Sequence, residues 1–347
     1  MIYTPPHRHR CEAQLAILML LAKLSHPRAL RPDMEQLFKQ DQTRISRFIA
    51  LALNHVYRVL AYTLAFDTQY LQEQIPFFAK QIGIAVDAPR PENFRVWGFI
   101  DGVFRRFLRP SANQESVYNG HYGGHGFKFQ MLVAPDGMLV DVAGPYHGRL
   151  NDSEMTRESL LEERLSDFCT IGGVDFLIYG DPAYTSSRFV EKPFRRIGAT
   201  DTQSQFNTMM SRGRISVEHA IGKVTHTFTA IDFVRVERVG NGEVGKKYLV
   251  AVILRNMLTC IRGRNQISTY FGCPPPTIEE FIFPFCLGLL RKSHTHTHTH
   301  THTHMLLHVI NLQIHRHSPT SFFFSLLVGP PSQVTHTHTH THTCSML

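Results

Sequence analysis

The sequence predicts an α/β core with a mixed sheet, preceded by an all-α region and followed by a low-complexity tail. Three observations predict it. Helical stripes fill the first ninety residues; from Arg95 the pattern turns to strands, a hairpin, a helix, a strand and further helices; and beyond Glu280 the chain contains no Asp or Glu at all. The Pro-rich stretch 87–93, DAPRPEN, marks the boundary between the first two regions. The predicted divisions are 1–90, 95–265, a short extension 266–292, and a tail 293–347.

The first region reads as helices. Residues 11–24 are apolar on nearly every face, which suits a helix buried between others. A short helix over 32–39 opens with Pro32, and a long one runs over 42–64 with Asp41 as its N-cap. Ile45, Phe48, Ile49, Ala52, Leu53, Val56 and Leu60 form the apolar stripe of this long helix. Arg44, Arg47, Asn54 and Arg58 fall together on the opposite face. A buried helix, a short helix and a long helix with a basic face make a helix-turn-helix pattern. A plain bundle with a solvated charged face is the competing reading.

In the second region, 96–100 reads as a strand ending at Asp101-Gly102, with 103–108 continuing it or pairing with it. Strands at 127–133 and 138–143 flank Pro135-Asp136-Gly137, a hairpin signal. A helix over 153–168 follows, with Asn151 or Asp152 at its N-cap. The run 174–179 reads as a buried strand, stopped by Pro182, which has no N–H to give. That carries Asp181 to the C-terminal lip of a strand, where open α/β sheets place ligand groups. A basic stretch follows, with Arg188, Lys192, Arg195 and Arg196. A helix over 209–228 carries the stripe Val217, Ile221, Val224 and Phe228, and another spans 248–262.

The net charge is +8 with neutral histidines, and few residues are charged, which favours an anionic partner, nucleic acid first. None of the six cysteines forms a CxxC pair, consistent with a reducing, intracellular setting and no zinc knuckle. No apolar run is long enough to span a bilayer. The tail alternates His and Thr at 294–304 and 335–343, the pattern that an AC dinucleotide repeat gives when read as codons. Such a segment cannot bury a core, so disorder is expected.

Three acids carry the chemistry. Asp101 and Asp181 each end a strand, and Glu218 lies at the edge of the apolar stripe of a later helix. Carboxylates converging on one lip repel each other unless cations neutralise them, and an oxygen-only cluster suits Mg²⁺ or Mn²⁺. Two such ions sharing ligands would hold the three carboxyl groups within roughly 4–8 Å and act on a phosphodiester. Arg212, Arg214 and Lys223 would meet phosphates. Three unrelated acids serving as caps and surface groups remain the alternative.

The segments FIDG (99–102), GDPAY (180–184) and NTMMSRGRISVEHAIGK (207–223) resemble, in order, the signature blocks of DDE transposases, above all the PIF/Harbinger-type DDE superfamily endonucleases. The resemblance covers roughly 95–260. It implies an RNase H-like fold, a catalytic and metal-binding triad of Asp101, Asp181 and Glu218, and two Mg²⁺ or Mn²⁺ ions. The 37 positions from 181 to 218 suit such a triad. The block 144–153 resembles the family's Gly, His and Asp-Ser segment, and Asn207, Arg212 and Arg214 resemble its Asn and Arg residues. Asp152 is either a fourth acid near the site or a helix cap, the cap being preferred; Asn207 is the other supporting candidate. The chain departs from the family at Val103, Phe104 and Arg105, where a small hydroxyl residue and a His are usual. The implied activity is cutting and joining double-stranded DNA at terminal inverted repeats, in the nucleus, as a homo-oligomer or with a DNA-binding helper. The alternatives are an inactive, decayed or domesticated DNA-binding protein, and a phosphohydrolase on the same fold.

Overall fold

A computed structural model describes residues 12–26, 31–232 and 243–283. Residues 1–10 and the His-Thr tail lie outside the described residues.

Helices α1 (Ala13–Ser25), α2 (Arg31–Phe38), α3 (Gln42–Leu60) and α4 (Thr68–Ala85) precede the sheet. Asp41 caps α3 as its sequence predicts, accepting from the Arg44 N–H at 3.0 Å. The α3 stripe Ile45, Phe48, Ala52, Leu53, Val56 and Leu60 is buried, largely against α1. Packing does not stop at the Pro-rich turn: α4 lies on the first strand, and one continuous buried cluster runs from Ala16 to Ile282.

The main sheet is built from β1 (Val96–Arg106), β2 (Tyr118–Asn119), β3 (Gly124–Val133), β4 (Leu139–His147), β7 (Leu177–Tyr179) and β8 (Val190–Glu191). β3 pairs with β2, β4 and β1 antiparallel; β1 then pairs with β7, and β7 with β8, in parallel. The 96–100 and 103–108 segments are one strand, because β3 pairs along its whole second half, from Phe99↔Val133 to Arg106↔Gly126. The 135–137 turn closes the β3–β4 hairpin with Gly137 at φ +78°, a conformation that glycine adopts without strain. Its Asp136 is fully buried and accepts from the Met138 N–H and the Tyr70 hydroxyl.

Three sequence expectations change. The single helix over 153–168 is two, α6 (Asp152–Glu158) and α7 (Leu161–Ser166), broken at Leu160, whose φ is +51°. The break lets Arg164 bond the Ser159 carbonyl and grip buried Asp141 with two hydrogen bonds, 2.6 and 3.1 Å. The strand over 174–179 is also divided. Val174–Asp175 (β6) folds back on β5 (Thr170–Ile171), and only β7 joins the main sheet. The helix expected at 209–228 begins earlier: α8 (Asp201–Thr227) starts at a capping box between Thr200 and Gln203. Its stripe Val217, Ile221, Val224 and Phe228 is buried as predicted. α5 (Gln114–Val117), α9 (Val244–Arg262), α10 (Gln266–Phe271) and α11 (Ile278–Ile282) complete the described elements. Among the described residues no single helix is long and apolar enough to cross a membrane.

α8 crosses β1 at Gly213. A Cβ there would meet the Phe99 ring at 2.6 Å, so the glycine sets how closely helix and strand approach. Asp101 lies two residues beyond Phe99 and shares its face of β1. Arg214, next to Gly213, is thereby delivered beside Asp101.

Candidate active site

The strand register brings the two aspartates together. Phe99 pairs with Tyr179 in the parallel β1–β7 ladder. Two residues on from that pair come Asp101 and Asp181. Asp101 lies inside β1, not at a strand end as its sequence predicts, because β3 pairs on to Arg106; β7 stops at Tyr179, and Pro182, which cannot donate, keeps the ladder from resuming. The GDPAY segment then folds over itself. Asp181 accepts from the Ala183 N–H at 2.9 Å through its side chain, and from the Tyr184 N–H at 3.2 Å through its carbonyl. Asp181 therefore does cap the turn after the strand, while its carboxylate still acts on Asp101. The buried Tyr184 ring closes over Gly180, where a Cβ would meet it at 2.7 Å.

Asp101 is half-buried and accepts from the Gly102 N–H at 2.9 Å. Burial pushes its carboxyl up from the usual 3.8 to about 6; the charges of Asp181 and Asp152 add to this, while Arg214 and the Gly102 N–H oppose it. Gly102 has a steric reason to be glycine. A Cβ there would run into the Asp152 carboxylate and approach the Met155 methyl at 3.2 Å.

That placement corrects the preference for Asp152 as a helix cap. Asn151 is the N-cap of α6: its side chain accepts from the Glu154 N–H at 2.8 Å, and Glu154 accepts from the Asn151 N–H at 2.9 Å. With its neighbour capping the helix, Asp152 is free to turn inward. It lies over Gly102 and pairs with Lys128 at 2.8 Å, both side chains largely buried. Ser153 ties the same helix to the GDPAY turn by donating to the Ala183 carbonyl at 2.7 Å. Asp181 and Asp152 thus both act on Asp101, and all three act on the phenols of Tyr184 and Tyr122.

Glu218 is placed differently. Its side chain is 58% exposed and accepts from Arg214 at 3.0 Å, one turn earlier on α8. Arg214 is also the cation acting on Asp101. Glu218 is therefore linked to Asp101 through an arginine. Among the described residues no three His, Cys, Asp or Glu side chains gather so as to hold a metal ion.

The remaining sequence candidates lie around this core. Arg212 is exposed on α8 and pairs with Asp87 at 3.2 Å; Lys223 is exposed one turn past Glu218. On α3, Arg47 and Arg58 are exposed, whereas Arg44 is half-buried with its guanidinium 6.0 Å from the Phe48 ring centre. Lys246 occupies Asn54 at 2.6 Å. Asn207 clamps the backbone of Phe194, accepting from its N–H and donating to its carbonyl, both at 2.9 Å. Sequence reasoning missed Lys128 and Tyr184. Lys128 left a signal: in the 127–133 strand the alternate positions 128 and 130 are polar and point to α6, where Gln130 meets Thr156 and Ser159. A separate cleft of about 190 Å³, lined by Tyr62, Phe66, Tyr70, Leu139 and Phe281 among others, includes none of these acids.

The sheet thus sets two aspartates side by side just past the last pair of a parallel ladder, one of them raised by burial. Residues 100–256 match the family model described as DDE superfamily endonuclease, and this part of the chain is a DDE-type, transposase-derived domain. No curated protein and no solved structure matches the chain.

Proposed function

We propose that this chain is a metal-dependent DNA endonuclease and strand transferase of transposase origin, cutting phosphodiester bonds at terminal inverted repeats in the nucleus. The carrying observation is that Asp101 and Asp181 each lie two residues past Phe99↔Tyr179, the last pair of the parallel β1–β7 ladder, with Asp101 raised to about 6 by burial and, to a smaller extent, by its acidic neighbours. The strand order supports an RNase H-like reading of the core, three antiparallel strands continued by two parallel ones. The order of α1, α2 and α3, with Arg47 and Arg58 exposed on the last, supports the helix-turn-helix reading.

The donor chemistry fits Mg²⁺ or Mn²⁺. Asp101 and Asp181 offer hard carboxylate oxygens, the charge of Asp181 helps to raise the Asp101 carboxyl, and a divalent cation would offset that repulsion. Glu218 would join them by exchanging its bond to Arg214. Such ions, when bound, supply Lewis acidity toward a phosphodiester and its nucleophile. The chain does the positioning. Lys128 neutralises Asp152 and fixes its carboxylate over Gly102, which holds the β1 backbone at Asp101 in place. Arg214, released from Glu218, would face the phosphate, with Arg212 and Lys223 beyond it on α8. A homo-oligomer or a separate DNA-binding helper would bring two ends together.

One observation favours a second reading, an inactive DNA-binding descendant: Glu218 is held by Arg214 rather than grouped with the aspartates. Nicking of duplexes carrying candidate terminal repeats separates the two. The nuclease reading expects cleavage with Mg²⁺ or Mn²⁺, none with EDTA, and none from Asp181→Asn. Duplex binding without cleavage under every metal condition would establish the second reading.

A further inference from the structure

The segment between β8 and α8, residues 192–200, reads KPFRRIGAT. It packs three cations into its first five positions and holds no acid. Its root is fixed in three ways. Asn207 satisfies both backbone groups of Phe194. The Phe194 ring meets Phe206 edge-on at 5.6 Å, and Phe206 meets Tyr179 at 6.1 Å. Tyr179 lies two residues before Asp181, so the root is coupled by packing to the catalytic strand. The tip is the opposite. Arg195 and Arg196 are exposed, and among the described residues neither they nor Lys192 forms a salt bridge. Ile197 is 96% exposed, against 57% for Leu160, the next most exposed large hydrophobic among the described residues. Gly198, at φ +79°, turns the chain back toward α8.

A flexible loop hides its apolar residues or scatters them; this one holds a single isoleucine out on a clamped root, next to two unpaired arginines. That is the chemistry of a wedge for duplex DNA, in which arginines take phosphates and a branched apolar side chain enters between base pairs. Position supports the same partner. Asn207, Ser211, Arg214 and Glu218 follow one another at i, i+4, i+7 and i+11 along one face of α8. Seven residues of helix span about 10 Å, roughly three base-pair rises of about 3.4 Å each. We propose that Arg195, Arg196 and Ile197 form a wedge that bends duplex DNA about three to five base pairs from the bond to be cut, with Asn207 as its positioning residue. The inference rests on the nuclease reading for the identity of the polymer, and on the loop alone for the wedge.

The test uses the full chain and a 40-base-pair mixed-sequence duplex with a dye at each end, in EDTA so that nothing is cut. Affinity is measured against salt, and bending from energy transfer between the dyes. The expected result is that the wild type shortens the end-to-end distance. Arg195→Ala with Arg196→Ala should flatten the salt slope by about 2, near 0.9 per lost phosphate contact. Ile197→Ser should keep the slope and lose the bend, while Ile197→Phe keeps both; Asn207→Ala should weaken the bend without abolishing binding. All these side chains except Asn207 are at the surface, so unchanged melting temperatures confirm that the variants fold. A straight duplex with the wild type, or bend and slope unaffected by the tip variants, overturns the wedge while leaving the nuclease reading intact. No duplex binding by any form, with the tip variants instead losing adsorption to anionic phosphatidylserine vesicles, overturns both.

Discussion

Replacing Asp101 with Asn should stabilise the protein at neutral pH in the absence of metal. The Asn side chain keeps the shape and can still accept from the Gly102 N–H. What disappears is a charge that the folded chain disfavours, since its carboxyl is raised from 3.8 to about 6. A folded-state value above the unfolded one means that the fold prefers the protonated acid. The stability contributed is fully present below about pH 4 and is lost as pH rises through about 6. A rise of roughly 2 units corresponds to a ceiling of about 3 kcal/mol. Asp101 is only half-buried, and screening by solvent brings the expected gain to about 1–2 kcal/mol. For a folded unit of this size that is a rise in Tm of roughly 2–8 °C. The assay is thermal unfolding of wild type and Asp101→Asn in EDTA at pH 7.5 and pH 4. The variant should melt higher at pH 7.5 and level with wild type at pH 4. Added Mg²⁺ should then raise the wild type and not the variant, by mass action on the native state. A variant that melts below wild type at pH 7.5 in EDTA, or a difference that is the same at both pH values, would refute the claim that burial and acidic neighbours strain this carboxylate.

Asp136 carries the same sign away from the site: burial raises its carboxyl to about 6, so Asp136→Asn should raise Tm at pH 7.5 and change little at pH 4 in paired melts. Asp152→Ala leaves buried Lys128 unpaired and should cost about 3–5 kcal/mol in denaturant titration. Adding Lys128→Met should recover most of that loss, and a double variant no better than the single one would show that the pair is not the cause. Neutralising Arg47 and Arg58 on α3 should weaken binding to every duplex alike and lower the salt slope by about 2; an unchanged slope would return that face to plain solvation.

Much of the architecture was legible because its signals are local. Asp41 before an amphipathic run is a cap, and it caps α3. Val217, Ile221, Val224 and Phe228 recur at helical spacing, and all four are buried. Pro135-Asp136-Gly137 between alternating strands is a turn. The failures are places where a distant contact overrode local pattern. Nothing in 153–168 announces a break at Leu160, because the break serves Arg164, whose partner Asp141 lies 23 residues earlier on another element. The 174–179 run was split by pairing with β5, a two-residue strand too short to leave a periodic trace.

The site shows the same division. That Asp181 follows the end of a strand could be read from its segment alone; Asp101 reads the same way but lies inside β1, and only the register that sets Phe99 opposite Tyr179 brings the two aspartates side by side. Glu218 marks where pattern reasoning stops. Its spacing puts it at the edge of the α8 stripe, but spacing says nothing about which charge it meets, and the arginine one turn earlier meets it first. Gly102 carried more information than a turn signal. A glycine in the middle of an eleven-residue strand weakens that strand, so a reason to keep it must come from outside, and the reason is the Asp152 carboxylate lying over its backbone. The Asp-Gly pair therefore specifies two acids at once: the one that Asp101 supplies, and the one for which Gly102 leaves room.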